Sequence, residues 1–93
     1  MDCVPSYLVE TYLTRGQAGE RSALERRARS AAEELTQEGT RVHLERSIYI
    51  PEDEICFFVF DAPVAREAAL AAQRAGLDPV RVVEAIASDM EER

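Results

Sequence analysis

A chain of 93 residues, 46% hydrophobic and 31% charged, has the size and balance of one compact soluble domain. Its formal charge is −7 and all 11 of its basic residues are Arg, which argues against nucleic-acid or anionic-membrane binding, where neutralising phosphates supplies most of the affinity. No apolar run approaches the roughly 20 residues that span a bilayer, and MDCVPSYLVE lacks a basic segment followed by an apolar stretch. The expectation is a cytoplasmic domain with no nucleic-acid or membrane partner.

In chain order, Tyr7 to Leu13 (YLVETYL) is rich in aromatic and β-branched residues and predicts a strand, ended by Thr14-Arg15-Gly16-Gln17. From about Glu20 to Glu38 the period becomes helical. Leu24, Ala28, Ala31 and Leu35 fall on one face, while Arg21, Glu25, Arg29 and Glu33 place opposite charges four apart on the other. Gly39 is positioned to cap that helix, since a residue without Cβ tolerates the left-handed conformation. Arg41 to Ile50 then alternates, with Val42, Leu44, Ile48 and Ile50 predicted on one side, interrupted by Arg46, and His43, Glu45, Ser47 and Tyr49 on the other.

Pro51 to Glu54 predicts a tight turn. Ile55 to Phe60 (ICFFVF) is a continuous apolar run expected of a central strand. Asp61-Ala62-Pro63 opens a second helix whose small-residue stripe, Ala68, Ala71, Ala72 and Ala75, suits close packing on a sheet before Gly76 stops it. Val80 to Ala87 predicts a last strand, and residues 88–93 a charged, frayed tail.

The order β-α-β-β-α-β predicts a single α+β domain over 1–93, with its core at about 6–87. It is the order of the ferredoxin-like split βαβ fold, a four-stranded antiparallel sheet with both helices on one face. Right-handed crossovers place the third strand between the first and second, giving strand order 4-1-3-2. The helices are expected to cover Tyr7, Val9, Val42, Leu44, Ile48, Ile50, Ile55, Phe57 and Val59. The other face would then carry Leu8, Tyr12, Tyr49, Phe58 and Phe60 with Glu10 and Cys56, an apolar patch too large for a monomer to leave wet. A homodimer closed through the sheet is expected, the alternative being a monomer whose C-terminal tail folds back over that face.

The chain has no phosphate-binding glycine loop, paired-cysteine metal motif or Gly-flanked nucleophilic Ser, and its single His rules out a three-His site within one subunit. No catalytic residue is assigned. Cys3 and Cys56 are too few for a disulfide framework and are expected as free thiols.

Two constellations remain. His43 and Glu45, two apart on a strand, would point the same way about 7 Å apart and could share a divalent transition metal. On an edge strand the same charges serve equally to discourage aggregation. Glu10, Tyr12, Tyr49 and Cys56 form the second, a pocket able to bind a small molecule or a soft metal, or simply to pack as Tyr and Cys do in a dimer core. His43 and Cys56 lie too far apart along the sheet to share one ion. Asp2 and Cys3 could chelate with the terminal amine, although a floppy terminus is the plainer expectation. The Glu52-Asp53-Glu54 turn lacks calcium-loop spacing.

The segments YLVETYL, RSIYIPEDEICFFVFDAP and AGLDPVRVVEAI, spread from Tyr7 to Ile86, resemble a small actinobacterial family of nickel-binding proteins known as a domain of unknown function. The resemblance implies a ferredoxin-like subunit, a homodimer, and nickel held at the dimer surface for sequestration. A small-molecule-binding protein or enzyme of the dimeric α+β barrel type, using the Glu10, Tyr12, Tyr49 and Cys56 pocket, is the alternative.

Overall fold

The computed structural model describes residues 4–86. Strand β1 spans Ser6–Tyr12 and leads through a single 3-10 stretch, Arg15–Glu20, into helix α1, Arg21–Gln37. Strands β2 (His43–Ile50) and β3 (Ile55–Asp61) form a hairpin, followed by helix α2 (Ala65–Arg74) and strand β4 (Arg81–Ala85). The strands make one four-stranded sheet in the order β2-β3-β1-β4, which read from its other edge is 4-1-3-2. Every neighbouring pair is antiparallel. The architecture is α+β and compatible with a ferredoxin-like fold.

Local sequence explains the helix ends. Gly39 (φ 105°) and Gly76 (φ 81°) take the left-handed conformation after α1 and α2. Each is followed by a backbone bond reaching back into the last turn, Thr40 N to Leu35 O at 2.8 Å and Leu77 N to Ala72 O at 3.0 Å. The helices bury their small faces, Ala28, Ala31, Ala32 and Leu35 from α1 and Ala68, Ala71 and Ala72 from α2. These share one core cluster with Val9, Cys56, Phe58 and Phe60 of the sheet. Small helix side chains let the helices lie close, and the aromatic residues of β3 supply the volume.

The faces of β3 are opposite to the expectation. Tyr7, Val9 and Thr11 of β1 are buried and pair in register with Phe60, Phe58 and Cys56, so those three look toward the helices. Ile55, Phe57 and Val59 look outward. The reason lies in β2, where the register shifts between Leu44 and Arg46. Glu45 is the extra residue of a β-bulge, and one extra residue reverses the facing of everything beyond it. Leu44 pairs with Phe60 and is buried, whereas Ile48 pairs with Phe57 and is 43% exposed. A regular strand holding Leu44 inward would have turned Arg46 into the core. The bulge turns it outward instead, and directs Ser47 and Tyr49 inward. Residue 87 of the expected fourth strand and the tail at 88–93 lie outside the described residues, as do Asp2 and Cys3.

Candidate functional site: the uncovered sheet face

Both helices lie on one side of the sheet, and no described element covers the other. Strand register arranges that open face in rows across the sheet. Ile50, Ile55 and Tyr12 form the first; Ile48, Phe57, Glu10 and Arg81 the second; Arg46, Val59, Leu8 and Val83 the third; His43, Asp61, Ser6 and Ala85 the fourth. The first and third rows are therefore dominated by apolar side chains, the second joins Ile48 and Phe57 to the Glu10–Arg81 pair, and the last is polar. Leu8, Ile50, Ile55, Phe57 and Val83 are half-buried, and Tyr12 is 66% exposed. The expected apolar open face is present, but Ile48, Ile50, Ile55, Phe57, Val59 and Val83 build it alongside Leu8 and Tyr12, in place of Tyr49, Phe58 and Phe60.

Charge on this face is balanced. Arg46 and Arg81 face outward with Glu10 and Asp61, although the whole chain carries −7. Glu10 accepts a hydrogen bond from Arg81 Nε at 2.8 Å, and its side chain is 15% exposed against 64% for Arg81. Asp61 accepts one from Ser6 Oγ at 2.8 Å.

The pocket of Glu10, Tyr12, Tyr49 and Cys56 is not assembled. Glu10 and Tyr12 stand on the open face, while Tyr49 and Cys56, correctly expected opposite each other, stand under α1. Tyr49 donates its hydroxyl hydrogen to Leu13 O at 2.9 Å and Cys56 is fully buried. Nearby, Arg21 Nε donates to Ser47 Oγ (3.3 Å), which donates to Glu25 Oε2 (2.7 Å). Burial pushes the Cys56 thiol above its ordinary pKa, and the Arg21 guanidinium opposes that shift less strongly. These residues tie α1 to β2, and the thiol itself has no exposure to solvent.

His43 and Glu45 are both exposed, but the bulge falls on Glu45, so the two are not regular same-face neighbours. His43 pairs in register with Asp61 instead. It also borders a shallow groove of about 350 Å³ between α1 and the outer edge of β2, where Glu33 contributes a carboxylate. Among the described residues, no three His, Cys, Asp or Glu side chains lie together so as to hold an ion. Sequence reasoning missed Asp61 because counting back from the Pro51–Glu54 turn without a bulge places Leu44 opposite it.

Among the described residues, no helix is long and apolar enough to cross a membrane. Comparison with family models, characterised proteins and solved structures finds no match to this chain.

Proposed function

We propose that this chain acts as a homodimer closed sheet to sheet, and that the dimer binds a divalent transition metal, nickel being the ion its sequence resemblance implies. The observation that carries the reading is the uncovered apolar sheet face. Ile48, Phe57, Ile55, Ile50, Leu8 and Val83 share it, and a patch of that kind on a small soluble domain marks an interaction surface. A second copy fits better than an unrelated partner because the exposed charges are self-balancing. Two arginines and two carboxylates leave this face without the acidic excess of the −7 chain as a whole, so two copies can meet here without a concentration of like charge at the contact. Twofold packing also lets the same patch satisfy itself.

Metal binding is supported by donor chemistry. His43 supplies the chain's only imidazole, a ligand type that suits nickel, copper and zinc, and it stands exposed at one end of this face. With no three-donor cluster among the described residues, an ion held here completes its shell with water or with the second copy. The role that follows is storage or sequestration of the metal rather than catalysis.

Calorimetric titration of tag-free protein with nickel, with zinc and cobalt as comparators, tests this reading. Sub-micromolar binding at a fixed ratio of ion to dimer is expected. Heats indistinguishable from dilution would remove the metal from the proposal and leave the dimer alone.

A further inference from the structure

The polar row at the end of the open face offers a donor set that the linear sequence hides. We infer that His43 and Asp61 together form the metal half-site of each protomer, with Ser6 orienting the Asp61 carboxylate; this rests on the metal reading above. His43 and Asp61 are directly opposed across β2 and β3, and Asp61 is directly opposed to Ser6 across β3 and β1. Residues so opposed have Cβ atoms about 4.5–5.5 Å apart, close enough for an imidazole nitrogen and a carboxylate oxygen to reach one ion. The spacing along a regular strand that would join His43 to Glu45 is about 7 Å, and the bulge at Glu45 breaks even that regularity.

The carboxylate is also prepared for the role. Ser6 Oγ donates to Asp61 Oδ1 at 2.8 Å, leaving Asp61 Oδ2 without a protein hydrogen bond among the described contacts. Carboxylates that ligate metals are themselves held by outer-shell hydrogen bonds, and the Ser6 hydroxyl supplies one here while leaving the second oxygen for an ion. Among the described residues no basic side chain of the open face pairs with Asp61, since Arg81 is held by Glu10 two rows away and Arg46 approaches Glu45 at 4.0 Å. The imidazole and carboxylate donors fit nickel, cobalt or zinc better than magnesium or calcium.

Binding of nickel alone to tag-free wild-type protein and to His43→Ala, Asp61→Asn, Ser6→Ala, Glu45→Gln and Glu33→Gln tests the assignment, with sedimentation of each variant checking fold and assembly. His43→Ala and Asp61→Asn are expected to weaken binding by about 100-fold and Ser6→Ala by about tenfold, while Glu45→Gln and Glu33→Gln leave it unchanged. Nickel binding that survives both His43→Ala and Asp61→Asn overturns the half-site while leaving the metal reading intact. Loss confined to His43→Ala and Glu33→Gln overturns it too, placing the ion in the groove beside α1. Absence of binding to the wild type defeats the half-site and the metal reading together.

Discussion

Leu44 and Ile48, four residues apart on β2, lie on opposite faces of the sheet because Glu45 between them is the extra residue of a bulge. In a regular strand an interval of four keeps two side chains on one face. This single insertion decides which residues form the core, which remain uncovered, and which acid faces the histidine.

Deletion of Glu45 is therefore expected to be tolerated. Removing the extra residue leaves Leu44 inward and Arg46 outward in regular alternation, with every other β2 side chain on its present face. Deleting Ser47 instead brings Arg46 into the position opposite Phe58, beneath α1 and against Arg21. Thermal unfolding followed by circular dichroism should stay cooperative for the first deletion and be lost or sharply weakened for the second.

Phe57 and Phe58 are neighbours with opposite fates. Phe58 is fully buried, and Phe58→Ala is expected to cost about 3–5 kcal/mol of folding stability. Phe57 is half-buried on the open face, and Phe57→Ala should instead weaken self-association with a smaller effect on the fold. Urea unfolding at several protein concentrations separates the two, because only an association defect changes with concentration.

The Cys56 thiol is expected to resist alkylation in the native protein and react on unfolding, measured in a Cys3→Ser background. Its pKa is raised by burial, so the unfolded chain ionises first as pH increases. The associated stability is complete below the ordinary thiol range and is lost as pH rises through that range toward the folded value. Cys56→Ala should remove this alkaline component of the stability profile.

At the other end of the titration, Arg74 holds α2 to the end of α1 through Glu38, with bonds of 2.8 and 3.2 Å. The Arg74 hydrogen bond keeps the Glu38 carboxyl below its usual range. The contribution is present above the unfolded carboxyl range and is lost as pH falls through the folded value. Glu38→Gln should lower the melting temperature slightly at neutral pH and low salt, and the difference should shrink both in acid and in salt, as for any exposed ion pair.

The element order was legible because Gly39, Gly76 and the Pro51–Glu54 turn interrupt clear helical and strand patterns. Even the hairpin register, Tyr49 opposite Cys56, followed from the turn. The faces were less accessible. Val42, Leu44, Ile48 and Ile50 read as one alternating set, and only a backbone irregularity divides them. ICFFVF is apolar at every position, so it carries no alternation of its own and inherited the wrong face from β2. Hence Tyr49 and Cys56 were expected beside Glu10 and Tyr12, when they pack under α1. Asp61 looked like the start of a helix and is the last residue of β3, which kept it out of any candidate site. The 3-10 stretch at Arg15–Glu20 buries no residue, so no hydrophobic period announces it.

The most direct test of the account is the mass of the protein in solution, measured by sedimentation equilibrium for the wild type and for Phe57→Asp. A dimer is expected for the wild type and a folded monomer for the variant, since the substitution places a charge in the centre of the uncovered face and leaves the helix-side core untouched. A wild type that remains monomeric at high protein concentration, or a Phe57→Asp variant that still forms the full dimer, would contradict sheet-to-sheet association.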